Sequence, residues 1–204
     1  MATSPQRAQQ IMGVNFLGTE AAGRHFAVDF LPEQGGQLRS VPFSEETLTH
    51  RRKTHLLVAG YPLSIHDLRA RVPKLLHDAE QPWYAGQPFA ESQVSLRWYL
   101  IRRGTVPGSA DRTWQEQREM LAQEEVPRAC ELVYATLLYF LVRGIRLFDR
   151  GGFARSHDMI QRYGNLVNAG VMTGTFEEDG LRIGGLWWNY RLHYVGVASM
   201  QKVG

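Results

Sequence analysis

The residues that could carry acid/base or metal chemistry fall into small, local groups. Glu177, Glu178 and Asp179 form the one dense acidic group. Paired carboxylates can act as general acid and base, or as oxygen ligands for a calcium ion. Gly180 follows them, and Asp-Gly is a common hairpin turn because glycine accepts the positive φ that a tight turn requires. A solvated hairpin tip is therefore the simpler interpretation, and a cation site would need further oxygen ligands from other loops.

Two other groups contain the residue types of known sites at unsuitable spacings. Ser156, His157 and Asp158 have the composition of a catalytic triad, but three consecutive side chains cannot point at a common atom. His50 and His55 are five residues apart, a spacing that places them on different faces of a helix, so a metal pair is not expected. The chain also lacks a glycine-rich phosphate loop, His-Glu-x-x-His, Cys-x-x-Cys and Gly-x-Ser-x-Gly. We expect no catalytic residue, no metal and no cofactor.

An aromatic cluster near the end of the chain is the strongest signal for binding. It comprises Trp187, Trp188, Tyr190, His193 and Tyr194. Alternation along a strand predicts that Trp187 points inward and Trp188 outward. Exposed Trp, Tyr and His side chains supply much of the affinity at protein interfaces, because they add contact area at a low cost in rotamer entropy. The alternative is that all of these rings pack into the core.

The elements that must position these residues begin with short helices. Ser4 before Pro5 predicts a helix that ends at Gly13, and Thr19 and Ser44 are further candidate N-caps. Later signals predict a strand, two capped helices, a loop and a long buried helix. These are His55–Tyr61, the Ser64/Asp67 and Thr113/Glu116 capping boxes, the loop 81–92 anchored by Trp83 and Tyr84, and the helix from Pro127 to Gly144.

Strands dominate the end of the chain. An alternating segment, Val94–Ile101, precedes the long helix, and beyond Leu147 the pattern is strand and turn. The Glu178-Asp179-Gly180 turn joins Val171–Phe176 to Leu181–Trp187, and Val195–Met200 is the final strand. Helices first and strands last predict an α+β fold.

Composition limits the class of protein. The chain has 204 residues, 44% of them hydrophobic, and a formal charge of only +3. Its one basic run is His50 to Lys53, so we expect a solvated helix face rather than a nucleic-acid site. The single cysteine, Cys130, lies in an apolar helical segment and is expected to be a buried hydrophobe. A polar N-terminus and a longest apolar run of eleven residues predict a soluble, cytoplasmic protein with no membrane span.

The last forty residues resemble the variable region of proteins diversified by retroelements. The resemblance rests on the pattern Val171-x-x-Gly174-x-Phe176-Glu177-x-x-Gly180-Leu181-x-Ile183-x-x-x-Trp187-x-Asn189-x-Arg191-x-x-x-Val195-Gly196-Val197-Ala198-Ser199. In that family a reverse transcriptase copies a template with errors at adenines and rewrites selected codons. The resemblance implies a C-type-lectin-like fold of the formylglycine-generating-enzyme type. It also implies a helical N-terminal extension at 1–50 and a lectin-like domain at 51–204, with the variable region at about 165–204.

The resemblance also assigns a binding face between the frame residues. Its members are Thr175, Arg182, Gly184, Gly185, Leu186, Trp188, Tyr190, Leu192, His193 and Tyr194. Adenine-directed changes to Asn-type codons reach all of these residues except Trp188, and they also fail to reach Met172 and Glu178. These three residues are therefore interpreted either as fixed residues or as positions where the diversification hypothesis does not hold. The frame departs from the family where Trp188 and Asn189 replace a usual acidic pair, and where Gln201 and Lys202 replace Arg-Lys.

The leading hypothesis is thus a non-enzymatic protein that binds an unknown protein ligand through this face. A second hypothesis is an enzyme or metal-binding protein of the same fold, using Glu177, Asp179 or His193. A third is weak nucleic-acid binding through Arg51, Arg52 and Lys53, which would make affinity fall steeply with salt.

Overall fold

A computed structural model of the protein describes residues 2–77, 82–148, 151–163 and 166–203. Gln81 and Asn165, where the predicted loop and variable region begin, lie outside these residues. The described chain is mixed α+β, as predicted. Its helices are α1 (Pro5–Met12), α2 (Thr19–Phe26), α3 (Pro32–Gln37), α4 (Glu45–Arg51), α5 (Ile65–Arg71), α6 (Pro88–Glu91), α7 (Trp114–Glu119) and α8 (Ala129–Arg143). Its strands are β1 (Phe16–Leu17), β2 (His55–Ala59), β3 (Trp98–Arg102), β4 (Glu124–Glu125), β5 (Phe153–Tyr163), β6 (Leu166–Glu177), β7 (Gly180–Leu186), β8 (Val195–Val197) and β9 (Met200–Gln201).

The strands form two sheets. The five-stranded sheet has the order β1-β2-β3-β9-β4, in which β1 is parallel to β2 and the other pairs are antiparallel. The four-stranded sheet has the order β7-β6-β5-β8, with antiparallel β7-β6-β5 and a parallel β5-β8 pair. The register of the hairpin between β6 and β7 pairs Gly174 with Arg182 and Gly170 with Leu186.

Helix α8 provides much of the core that both sheets share. Its residues from Ala129 to Tyr139 are all buried, as its apolar sequence predicts. The same apolar cluster contains Leu56 of β2, Ile101 of β3 and Val171 of β6. Burying one large aliphatic side chain contributes about 1.5–3 kcal/mol, so this shared cluster is what holds the two sheets together.

Most of the local helix predictions are confirmed. The Ser4 and Ser44 hydroxyls accept hydrogen bonds from the third residue beyond each cap, and both capping boxes form. Helix α8 ends at Arg143, and Gly144 caps it in the left-handed conformation with a φ of 68°. The predicted cap at Thr19 is wrong by one residue, because Gly18 takes the extended N-cap conformation. A Cβ at Gly18 would lie 2.7 Å from the Phe16 ring, so glycine suits this cap.

The strand predicted at Val94–Ile101 is shorter and begins later. Strand β3 starts at Trp98, and the segment before it folds back so that the Ser95 amide donates to the Tyr99 hydroxyl at 2.9 Å. The alternating side chains of β3 do not divide into a core face and a solvent face. Tyr99 and Ile101 face one apolar cluster, and Trp98 and Leu100 face a second. The sheet is buried on both sides because the N-terminal helices α1 and α4 cover the second face.

Three further segments of the chain differ from the prediction. The single strand predicted at Val195–Met200 is divided into β8 and β9, which belong to different sheets. The loop predicted at 81–92 contains α6, although Tyr84 is buried as expected. Residues 2–50 contain α1, α2, α3 and all of α4 except its last residue, and they also contribute β1 to the five-stranded sheet. The domain boundary at residue 50 stays a prediction. No helix in the described part of the chain is long and apolar enough to cross a membrane.

Candidate recognition surface

The acidic group lies at the tip of the hairpin, as the sequence predicts, with Glu178 and Asp179 in the turn. Asp179 is paired with an arginine and a histidine side chain. Its carboxylate lies 2.6 Å from the Arg182 guanidinium and 3.0 Å from Nδ1 of His77. Gly180 has a φ of 112°, and a Cβ there would lie 2.7 Å from the His77 amide nitrogen. The turn is therefore packed against the segment that precedes residue 78.

The triad-like residues point to three different places. The Ser156 hydroxyl is buried and donates to the Val171 carbonyl at 3.0 Å. His157 is exposed, whereas the Asp158 carboxylate accepts a hydrogen bond from the Ala129 amide at the start of α8. Asp158 thus stabilises a helix N-terminus, and the three side chains do not converge on a common atom. In the described residues, no group of three His, Cys, Asp or Glu side chains could hold a metal ion.

The basic run is divided between solvent and an ion-pair cluster. Arg52 and Lys53 are exposed, but the Arg51 guanidinium lies 2.9 Å from the Glu124 carboxylate. A hydrogen bond from buried His55 and nearby guanidinium groups lower the pKa of Glu124 to about 2. Burial lowers the pKa of His55. Because Arg51 is already paired, it is a poor ligand for a phosphate group.

Residues 187–194, which we call the C-terminal loop, connect β7 to β8. Main-chain hydrogen bonds fix this loop to distant parts of the chain. The carbonyl oxygens of Trp188, Leu192 and Tyr194 accept from the amides of Trp114, Asp111 and Phe153 at 2.9, 3.0 and 2.8 Å. The loop backbone is therefore held at three points by residues outside the loop.

Arg155 of β5 supplies the fourth point. Its guanidinium is fully buried and donates to the Tyr190 carbonyl at 2.6 Å. It also donates to the Gln117 amide oxygen at 3.0 Å and the Arg112 carbonyl at 3.3 Å. Burial lowers the pKa of Arg155 to about 10, which still leaves it charged at neutral pH. Oxygen atoms of the loop and of its supporting segment are thus the polar partners that compensate this buried charge.

Gln117 and Ser109 hold β8, the strand that follows the loop. Gln117 is buried and donates to the carbonyls of Ser109 and Val195 at 2.7 and 3.1 Å. The Ser109 hydroxyl accepts from the Val197 amide at 3.1 Å. Sequence reasoning missed Arg155, Gln117 and Ser109. Their partners are up to 88 residues away, so no local pattern marks them.

The side chains of the C-terminal loop divide into packed and exposed groups. The Trp188 ring lies against the Trp114 ring, with centroids 4.7 Å apart, and it also covers Gly170. Tyr190 and Tyr194 are 48% and 41% exposed, and their rings contact Trp187 and His193 at 5.1 Å. Arg191 projects beside them and pairs with Glu116 at 2.8 Å. We call the exposed side chains of the loop the recognition surface, namely Asn189, Tyr190, Arg191, His193 and Tyr194.

The structure brings only part of the predicted binding face to the surface. Three of the ten residues are exposed: Tyr190, His193 and Tyr194. Five are half-buried: Arg182, Gly184, Gly185, Trp188 and Leu192. The remaining two are buried, contrary to their predicted exposure: Thr175 and Leu186.

Each buried residue has a local reason. Thr175 lies at an irregularity in the pairing of β6 with β7, has a φ of 46° and donates its amide to the Gly152 carbonyl at 2.9 Å. Leu186 is paired with Gly170 and is 6% exposed. Trp187 packs against the core, as predicted. Trp188, predicted to point outward, is half-buried like Trp187, so the two side chains differ little in exposure.

Comparison with protein-family models, curated proteins and solved structures finds no match for the chain.

Proposed function

We propose that this protein is a non-enzymatic display protein that binds a protein ligand through the recognition surface. We further propose a C-type-lectin-like fold whose C-terminal segment is diversified by a retroelement. The observation that carries the proposal is a separation of roles in the C-terminal loop. Its main chain is held by Trp114, Asp111, Phe153 and Arg155, while the side chains between these points face solvent.

This separation suits a surface that must tolerate substitution. Changes at exposed side chains typically alter the free energy of unfolding by only about 0.5 kcal/mol. A fixed backbone also reduces the entropy lost on binding, so a new side chain can change specificity without changing the fold. The loop meets both conditions because its anchors are main-chain carbonyls, which every residue type provides.

The exposed residue types favour a protein ligand. Tyr and Arg are enriched among residues that dominate protein interfaces, and Tyr190, Arg191 and Tyr194 lie together on this loop. Arg191 is already paired with Glu116, which reduces the net charge that the loop offers to a phosphate backbone. Nucleic-acid binding is therefore the weaker hypothesis for this surface.

Binding through the loop is tested with Tyr190→Ala/Tyr194→Ala. Each hot-spot side chain contributes about 2 kcal/mol, so the affinity for a captured protein ligand should fall roughly a thousandfold. The free energy of unfolding should fall by less than about 1 kcal/mol, since both rings are half exposed.

Leu31→Ala is the matched control, because Leu31 is an exposed apolar residue of the N-terminal region. It should retain both affinity and stability. A double variant that binds as tightly as the wild type would exclude the loop as the recognition surface. A double variant that unfolds would show that the two rings support the fold.

Diversification is tested separately by sequencing the gene across a population of the source. Codons for Tyr190, His193 and Tyr194 should vary at positions copied from template adenines. Codons for Arg155 and Gln117 should not vary, because these side chains bond the main chain of Tyr190 and Val195. The codon for Gly196 should not vary either, because a Cβ there would lie 2.6 Å from the Ser109 hydroxyl oxygen. Equal variation in both sets of codons would contradict the retroelement proposal and leave the binding proposal intact.

A further inference from the structure

A cavity of about 640 Å³ lies among the N-terminal helices, on a part of the molecule that the proposed function does not use. Its lining combines residues of α1, α2 and α3 with Phe16, Phe30, Trp98 and Val142. None of the ten predicted binding residues lines it. The volume is in the usual range for small-molecule sites of roughly 300–1,000 Å³.

One side of the cavity is aromatic and rigidly packed. The rings of Phe16 and Trp98 lie with centroids 5.5 Å apart, and the Trp98 indole donates to the Leu38 carbonyl at 3.1 Å. Phe30 is held edge-on by Tyr61 at 4.9 Å. Trp98 is only 3% exposed and its indole N–H is already used, so it supports the half-buried ring of Phe16. Phe16 and the half-buried Phe30 offer ring faces and edges rather than hydrogen bonds. They suit an apolar, preferably planar, ligand body.

The charged residues of the lining favour an anion. They are Arg24, Arg39 and Glu20, and the Glu20 carboxylate is already paired with Arg24 at 2.9 Å. Within the described chain, no carboxylate forms an ion pair with Arg39. Burial and the neighbouring Arg24 lower the pKa of His25, so this residue adds no positive charge to the lining at neutral pH. The lining therefore has a positive excess located at Arg39.

We propose that this cavity is a second ligand site, which binds a small molecule with an aromatic body and one anionic group such as a carboxylate, phosphate or sulfonate. The site is independent of the recognition surface. The aromatic body lies against the half-buried rings of Phe16 and Phe30, with Trp98 packed against Phe16, and the anionic group pairs with the exposed Arg39. An arginine can form two parallel hydrogen bonds with each of these anions.

Two probes of nearly the same shape test the two halves of the proposal. Anilinonaphthalene sulfonate carries an aromatic body with an anion, and phenylnaphthylamine is its neutral counterpart. Fluorescence titration should show both bound by the wild type, with the sulfonate bound more tightly. Arg39→Gln should weaken the sulfonate about tenfold, as expected for one charge-assisted contact, and change the neutral probe less than twofold. Equal loss for the two probes would overturn the anionic part of the proposal.

The glycine pair of α3 provides a matched test of location. Gly35 lines the cavity and Gly36 does not, and a Cβ added at either position meets no atom within 4 Å. Gly35→Phe should therefore fill the cavity and abolish binding of both probes, whereas Gly36→Phe should bind them as the wild type does. Either substitution should leave the melting temperature at or above the wild-type value, because both remove a glycine from a helix.

Wild-type binding by Gly35→Phe, or equal loss in both glycine variants, would overturn the cavity as the site. Tyr190→Ala/Tyr194→Ala should bind both probes unchanged. Probe binding that depends on Tyr190 and Tyr194 would likewise overturn the independence of the two sites.

Discussion

The C-terminal loop and the hairpin between β6 and β7 both belong to the predicted variable region, but the loop exposes side chains assigned to the binding face and the hairpin buries others. In the loop, Tyr190, His193 and Tyr194 are exposed above a backbone held by hydrogen bonds. In the hairpin, Thr175 and Leu186 are buried, although the resemblance assigns them to the same binding face.

The other hairpin positions are also engaged within the protein. Arg182 is paired with Asp179 at the turn, and the Met172 side chain covers Gly184, where a Cβ would lie 2.8 Å from its terminal methyl group. Substitution tolerance therefore depends on where each side chain points and what it contacts. We expect changes at the buried hairpin positions to affect stability and changes in the loop to affect binding.

The largest effect on stability is expected for Gly174→Ala in the hairpin. A Cβ at Gly174 would overlap the Gly152 carbonyl oxygen and lie 2.5 Å from the Phe153 Cα, and neither backbone can move aside easily. Overpacking of this kind costs up to about 3 kcal/mol, which denaturant unfolding would measure. Gly152→Ala is the control, because a Cβ there meets nothing within 4 Å. If the two variants are equally stable, the hairpin is as tolerant as the loop and the contrast fails.

Arg155→Met is expected to lose less stability than Gly174→Ala and to lose more binding affinity. The substitution keeps an apolar stem but leaves the carbonyls of Tyr190 and Arg112 without their buried donor. One unpaired buried acceptor costs about 1–3 kcal/mol, offset in part because a buried charge is removed, so we expect a net loss of about 2 kcal/mol. The loop should also become mobile, with faster amide hydrogen exchange at Val195.

Arg182→Met is the matched control for Arg155→Met. Arg182 forms a solvent-accessible ion pair at the hairpin tip, with the two side chains 38% and 46% exposed, so its loss should change the free energy of unfolding by less than about 1 kcal/mol. If both arginine variants slow or accelerate exchange equally, Arg155 does not specifically support the C-terminal loop.

The smallest effect is the pH dependence expected from Glu116. Hydrogen bonds from the Thr113 amide and hydroxyl, with Arg191 nearby, lower the pKa of Glu116 below its usual value of 4.5. A carboxyl group with a lowered folded pKa stabilises the protein above its unfolded pKa and loses that contribution as pH falls below it. The wild type should therefore lose more of its melting temperature than Glu116→Gln when the pH falls from neutral to below 4.5. Parallel curves for the two proteins would show that the contacts of Glu116 with Thr113 and Arg191 do not stabilise the folded protein.

Local chemistry in the sequence predicted several elements correctly. Ser4, Ser44, Ser64 and Thr113 cap their helices as expected, because a cap depends on a side chain and an amide only three residues apart. The Asp179-Gly180 turn follows for the same reason, since its geometry is set by adjacent residues. The sequence alone also identified the aromatic cluster that contains Tyr190, His193 and Tyr194 as a candidate binding region.

Tertiary structure decided the features that depend on residues far apart in the chain. Alternation in β3 could not show that both faces of the sheet are covered, because the second cover comes from helices near the N-terminus. The division of Val195–Met200 between two sheets depends on partners in β5 and β3. No local pattern marks Arg155, whose contacts with Tyr190 and Gln117 join three distant segments. Sequence therefore determined which side chains could form a recognition surface, and only long-range packing decided which of them face solvent.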